Sequence, residues 1–124
     1  MLAFRTATPG IGNIRNASLL DASELSRLIA TSPHHVPGDS LGWFDRGHLL
    51  VLDLCDGTLG AAVHVDVRNG HAMMDLLVVD PRFAGRDLER RMSGVAHALC
   101  EAYGCDHIET RSEPRLAGAA RGRR

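Results

Sequence analysis

The sequence contains no lysine, so every one of its 14 basic residues is arginine. These arginines are balanced by 15 acidic residues, which gives a formal charge of −1 at pH 7. A chain of nearly zero net charge has no overall attraction to phosphate backbones or to anionic membranes. We therefore expect neither a nucleic-acid partner nor a membrane partner.

Cysteine and long apolar runs are also scarce. The three cysteines, Cys55, Cys100 and Cys105, form no Cys-x-x-Cys pair, which excludes a zinc knuckle and a disulfide framework of the usual kind. No apolar run approaches the ~18 residues that a membrane-spanning helix needs, and the first residues lack the apolar core of a secretory signal. These absences predict a protein of the cytoplasm.

Aromatic residues number only five among 124, although 44% of the chain is hydrophobic. The chain is long enough for one domain, and its core is expected to be aliphatic. Residues at both termini lack hydrophobic periodicity. The sequence therefore predicts a flexible leader over residues 1–13, a single domain over residues 14–111, and a basic mobile tail over residues 112–124.

Hydrophobic periodicity predicts five strands and two helices inside this domain. A capping box formed by Asp21 and Glu24 is expected to open the first helix, and Gly104 to end the second. The stretch between the first helix and the next strand is rich in Pro and Gly, which favours a loop with one short helical turn. The first predicted strand begins near Ile14, and the other four cover residues 48–54, 59–67, 72–79 and 106–111. The predicted helices cover residues 21–31 and 88–103.

The dipeptide Asn69-Gly70 predicts a two-residue hairpin loop, because both positions tolerate positive φ. Counting outward from this turn pairs Arg68 with His71 and, four pairs further along, His64 with Asp75. A carboxylate beside an imidazole orients the ring and raises its basicity, so His64 and Asp75 are the first candidates for an acid–base pair. The alternative is a solvated ion pair on an exposed face of the sheet.

Residues 77–92 resemble the acyl-CoA-binding motif of the GNAT superfamily of N-acyltransferases. That motif is a strand ending in Val-x-Pro, here Val79-Asp80-Pro81, followed by a glycine-containing loop and a long helix. The resemblance covers about residues 14–111. It implies an α+β fold, in which helices flank a mixed, largely antiparallel sheet in an α/β three-layer arrangement truncated after the fifth strand.

The resemblance also implies an activity: transfer of an acetyl or other acyl group from acyl-CoA to a small-molecule or peptide amine, with no metal. In the family the loop and helix N-terminus bind the CoA diphosphate through backbone N–H groups. The backbone N–H of Val78 or Val79 would be the donor to the thioester carbonyl. The positions that match the family's cofactor site are Leu77, Val78, Val79, Arg82, Gly85, Arg86, Asp87, Leu88 and Arg90.

Three loop positions depart from the family pattern. Ala84, Asp87 and Glu89 stand where the family has Arg or Gln, then Gly, then Gly or Ala. Asp87 is expected to cap the helix with its own carboxylate and so compete with an anionic ligand. The surrounding arginines could still bind phosphates from the side.

A second function class also fits these departures. Family members often use a tyrosine as the acid for the leaving thiolate, whereas the sole tyrosine here, Tyr103, lies at a core-facing offset of the second helix. The predicted last strand would be an open edge, which a second copy or a partner chain could cover. The alternative to an enzyme is therefore an inactive GNAT-fold protein that acts through a dimer or a partner chain.

The remaining candidates have weaker patterns. Two adjacent histidines have no third ligand spaced to complete a metal site. Two aromatic residues in the Pro/Gly loop could line an acceptor pocket, although anchors in the core are the commoner role. The adjacent histidines are His34 and His35, and the aromatic residues are Trp43 and Phe44. His97 and Cys100 are expected to be packing or surface residues.

Overall fold

The structure is a computed structural model that describes residues 5–8, 11–31, 44, 47–83 and 87–110. In these residues six strands form a single sheet, and their order across the sheet is their order along the chain. The strands are β1 (Arg5–Thr8), β2 (Gly12–Asn16), β3 (His48–Asp53), β4 (Leu59–Arg68), β5 (His71–Val79) and β6 (Ile108–Thr110), and the helices are α1 (Ala22–Ala30) and α2 (Leu88–Ala102).

Each helix covers one face of the sheet. Because successive side chains of a strand point to opposite faces, Leu50 and Leu52 of β3 pack with α2, whereas Leu49 and Val51 pack with α1. All strand pairs are antiparallel except β5 with β6, which is parallel. This mixed, largely antiparallel sheet between helices confirms the predicted α+β, three-layer fold. Neither of the described helices is long and apolar enough to cross a membrane.

The N-terminal residues correct one prediction. Strand β1 pairs with β2 across four positions, with Thr6 opposite Ile14, so residues 5–8 and 12–13 are not a flexible leader. The backbone ladder to β2 holds this strand, and its sequence Arg-Thr-Ala-Thr has no apolar alternation that could reveal it. The described sheet thus has one strand more than the five predicted. The predicted tail lies outside the described residues.

The start of α1 corrects a second prediction. Asp21 occupies the N-cap position, but its side chain makes no capping hydrogen bond to the helix. Its carboxylate instead accepts hydrogen bonds from Arg15 at 2.8 and 2.9 Å and from the Ser18 N–H at 2.8 Å. Glu24 does not reach back to Asp21 and accepts the Leu59 N–H of β4 at 3.1 Å. The charged residues therefore bind α1 to the sheet.

Helix α2 agrees with its predicted pattern except at its end. Five of the six apolar positions used to predict it are buried on the sheet: Leu88, Met92, Val95, Ala96 and Leu99. The sixth, Tyr103, follows the helix and is 37% exposed, and its ring contacts that of His48 with 4.6 Å between centroids and a tilt of 37°. The prediction that Tyr103 faces the core is wrong.

The β4–β5 hairpin follows the predicted register for its first four pairs, from Arg68 opposite His71 to Val65 opposite Met74. Asn69 and Gly70 both have positive φ, as the turn type requires. The register then shifts, so that Leu76 rather than Asp75 stands directly opposite His64. Asp75 is the extra residue of a β-bulge, a feature that sequence counting from the turn does not detect.

Candidate functional site

Among the described residues, no strand pairs with the second half of β5 on the side away from β4. In the described part of the chain, β6 pairs with residues 72–74 of β5 and with none beyond them. The Asp80 N–H donates to the Gly60 carbonyl of β4 at 2.8 Å. Because N–H groups alternate in direction along an antiparallel strand, the Val78 N–H also faces β4, and the N–H groups of Leu77 and Val79 face the side away from β4.

A cleft of about 340 Å³ lies where β5 ends and α2 begins. Its position is the one that the resemblance to the GNAT motif implies for the cofactor diphosphate. The predicted residues Ala84, Gly85 and Arg86 lie outside the described residues. The residues that line the cleft are Val79, Asp80, Pro81, Phe83, Asp87, Leu88, Glu89 and Arg90.

Asp87 has a left-handed backbone, with φ 61° and ψ 20°. This conformation favours glycine, which is the residue that the GNAT motif has at this position. The Asp87 carboxylate makes no capping hydrogen bond to α2, so the predicted cap is wrong. A residue that caps with its side chain normally has an extended backbone, which Asp87 lacks. The Asp87 side chain therefore does not occupy the first N–H groups of α2.

Two arginines neutralise the buried carboxylate at the floor of the cleft. Asp80 is 4% exposed and accepts hydrogen bonds from Arg27 at 3.2 Å and from Arg82 at 3.1 Å. Burial opposes ionisation, but the hydrogen bonds from Arg82 and Arg27 outweigh it and hold the pKa of Asp80 below its usual range. Arg27 was not a candidate from the sequence, because nothing in the spacing of α1 connects it to a residue 53 positions away.

Arg82 lies between two residues that line the cleft, Pro81 and Phe83. Its guanidinium is over the Phe83 ring, 5.4 Å from the centroid. The hydrogen bond to Asp80 uses an NH2 group of a fork that has five N–H donors. Arg82 can therefore bind Asp80 and a phosphate oxygen at the same time.

His64 and Asp75 form a close pair on the α1 face of the sheet. The Nδ1 atom of His64 lies 2.6 Å from Oδ1 of Asp75. The imidazole is fully buried and the carboxylate side chain is 6% exposed, so the alternative of a solvated ion pair is wrong. The bulge produces this contact, because it leaves Asp75 and Leu76 side by side on the same face, both against His64.

Gly47 packs directly against the other edge of the His64 ring. A Cβ atom at Gly47 would lie 2.8 Å from Cε1 and 2.9 Å from Nε2 of His64, and it would also overlap the Val65 carbonyl. Gly47 has φ +64°, so both its backbone and its contacts require glycine. The sequence shows Gly47 only as one of several glycines in a Pro/Gly-rich stretch.

The other described candidates, Phe44, Cys100 and His97, lie outside the cleft. Phe44 packs at the edge of the core on the α1 face, whereas His34, His35 and Trp43 lie outside the described residues. Burial raises the pKa of the Cys100 thiol to about 11, which makes it unreactive at neutral pH. His97 is exposed on α2, with Nδ1 2.8 Å from the Ser93 carbonyl.

No protein-family model matches this chain, and no curated protein matches it either. Solved structures do match it. A GNAT-family N-acetyltransferase from Escherichia coli in complex with CoA superposes with a TM-score of 0.70 at 19% identity, over 90% of this chain and 68% of that one. The chain has the GNAT acetyltransferase fold.

Two further structures agree. A GNAT-family acetyltransferase from Brucella melitensis in complex with acetyl-CoA has a TM-score of 0.65 at 14% identity, over 86% of this chain and 77% of that one. An acetyltransferase from Trypanosoma brucei has a TM-score of 0.68 at 15% identity, over 82% of this chain and 83% of that one. Identities this low establish the fold alone, so the activity must be argued from the site.

Proposed function

We propose that this chain is an N-acyltransferase that transfers an acetyl or related acyl group from acyl-CoA to a small-molecule or peptide amine. The observation that carries this proposal is the second half of β5, which no other described strand pairs on the side away from β4 and which runs directly into the cleft at the start of α2. Two structural neighbours were solved with CoA and with acetyl-CoA, which supports the same ligand here.

The cofactor would lie along this side of β5. The N–H groups of Leu77 and Val79 would donate to the pantetheine chain and to the thioester carbonyl, where negative charge develops during acyl transfer. The N–H groups that open α2, together with Arg82 and Arg90, would bind the diphosphate. Of the two donors predicted for the carbonyl, the strand alternation favours Val79 over Val78.

Asp75 is the best candidate for the general base. The amine nitrogen attacks the thioester carbon, a C–N bond forms, its proton passes to the Asp75 carboxylate, and the C–S bond then breaks to release the CoA thiolate. His64 holds Asp75 from the side and so acts as a positioning residue. Tyr103 follows the C-terminal end of α2, whereas the cleft lies at its N-terminal end, so the thiolate would take its proton from water.

Calorimetric titration with acetyl-CoA tests the binding site. We expect the wild type to bind with micromolar affinity and Asp87→Gly to bind about five- to tenfold more tightly, because the variant removes a carboxylate from the helix N-terminus. Asp106→Gly removes the same charge from an exposed loop and is the matched control, with unchanged affinity. Failure of both the wild type and Asp87→Gly to bind would contradict the proposal.

Kinetics of CoA release with a panel of amines test the base. We expect Asp75→Asn to lower kcat about 100-fold, which is typical of a lost general base, and His64→Gln to lower it less and to change the pH profile. Unchanged affinity for acetyl-CoA and an unchanged circular dichroism spectrum would show that these buried variants are folded. His97→Gln is the control. Wild-type kcat in Asp75→Asn would remove Asp75 from the mechanism.

The second candidate function is the inactive GNAT-fold protein that acts through a dimer or partner chain. It is favoured by the three carboxylates that line the cleft, those of Asp80, Asp87 and Glu89. The titration separates the two candidates: binding by Asp87→Gly together with no binding by the wild type would support the inactive protein. A partner for the edge strand β6 and a cytoplasmic location both stay predictions.

A further inference from the structure

A histidine immediately precedes the paired residues of each strand in the parallel β5–β6 pair. Ala72 stands opposite Ile108, so His71 and His107, one position earlier in each chain segment, lie side by side. Their rings meet edge to face, with centroids 4.6 Å apart. Glu109 follows His107 by two residues along the strand and therefore points to the same face.

Glu109 bridges the two rings. Its Oε1 atom lies 3.5 Å from Nε2 of His71, and its Oε2 atom lies 4.0 Å from Nε2 of His107. Each of the three side chains offers one ligand atom, and these three atoms all lie within 4.8 Å of one another. Ligands that are about 2.0–2.2 Å from a tetrahedral metal ion stand about 3.5 Å apart, so small rotations of exposed side chains close the site.

We propose that His71, His107 and Glu109 bind a divalent transition-metal ion, with Zn²⁺ as the best match. Imidazole nitrogen and carboxylate oxygen are the donors that Zn²⁺ takes when three protein ligands leave the fourth position to water. All three side chains are about half exposed, so the ion enters from solvent without rearrangement of the core. The ion joins β6 to the β4–β5 hairpin.

This site is separate from the proposed acyl-CoA site. His71 and Val79 lie at opposite ends of β5, and eight residues of strand span about 26 Å. The metal ion therefore takes no part in acyl transfer. Its effect falls on β6, which pairs with β5 at only three positions. An ion bound next to the first paired residues would hold β6 to β5 and stabilise this short strand.

Titration of untagged, metal-free protein with ZnCl2 tests the proposal. We expect one Zn²⁺ per chain and a rise in Tm of about 5 °C or more at saturating metal. His71→Asn and His107→Asn should each weaken binding at least tenfold and abolish the rise in Tm. His97→Asn, which changes an exposed histidine on α2, should bind Zn²⁺ as the wild type does.

Co²⁺ provides a second measurement, since it replaces Zn²⁺ and absorbs visible light strongly only when its coordination is near tetrahedral. We expect this absorption in the wild type and in His97→Asn, and its loss in His71→Asn. Absence of Zn²⁺ binding, or equal binding by the wild type and both ligand variants, would overturn the proposal. Acetyl-CoA affinity measured with and without Zn²⁺ should be the same, which keeps this result independent of the acyltransferase proposal.

Discussion

Two residues with left-handed backbones, Gly47 and Asp87, sit beside the functional site. At Asp87 the side chain is tolerated because it projects into an open cleft, and the position is marked in the sequence by its departure from the GNAT motif. At Gly47 no side chain is tolerated, since a Cβ atom would meet the His64 ring and the Val65 carbonyl. The left-handed backbone thus determines which residues both positions tolerate, and the amino-acid composition does not reveal this conformation at either position.

Gly47→Ala should therefore destabilise the protein by about 3 kcal/mol, the sum of the strain of a positive φ and a steric overlap with β4. Gly70→Ala is the matched control, because Gly70 also has positive φ, at +76°, but a Cβ atom there has no neighbour within 4 Å. The control should lose about 1 kcal/mol from conformational strain alone. Urea denaturation measures both. Equal losses would show that Gly47 does not pack against His64 as described.

At the scale of single elements, the sequence predicted the strands and helices that are specified by a local pattern of residues. The Asn69-Gly70 turn is enough to specify the β4–β5 hairpin, and the periodicity of α2 is enough to specify its buried face. Strand β1 was not predictable in this way, because its four-residue sequence has no apolar alternation and its order comes with the backbone pairing to β2. Local patterns therefore identified most elements and missed the one that depends on its neighbour.

The bulge at Asp75 shows why the site was only partly predictable. Before the bulge, Ala72 and Met74 face α2; after it, Leu76 and Val78 face α1. A strictly regular register pairs His64 with Asp75, and the bulge preserves this contact only because it places Asp75 and Leu76 on one face. The pair was therefore predicted through a register that is wrong at that point. Its burial comes from packing, which the hairpin sequence does not contain.

At the scale of the whole molecule, arginine–aspartate pairs hold both ends of α1 to the sheet. Near its start, Arg15 of β2 binds Asp21 at 2.8 Å and Asp53 of β3 at 3.0 Å. Near its end, Arg27 binds Asp80, the residue that follows β5. Helix α1 covers the face of the sheet on which His64 and Asp75 lie. The arginine–aspartate pairs therefore keep α1 in place over the proposed catalytic residues.

The two anchors make the fold sensitive to acid. Hydrogen bonds from Arg15 lower the pKa of Asp21 despite its partial burial, and the pKa of Asp80 is also lowered, since Arg82 and Arg27 outweigh the effect of burial. Both carboxylates are therefore more acidic in the folded state than in the unfolded state, where an aspartate has a pKa of about 3.9. Their contribution to the free energy of unfolding is complete at neutral pH and is lost as the pH falls below about 4.

Urea denaturation from pH 7 to pH 2.5 should show this loss, and the variants Asp21→Asn and Asp80→Asn assign it. Each variant should be less stable than the wild type at pH 7, because an amide cannot replace the charged partner of the arginine. The difference should shrink as the pH falls, because the wild-type carboxylates then begin to take up protons and lose their charge. A constant difference across the whole range would show that these residues stabilise α1 through packing, and that acid reaches the fold through other carboxylates.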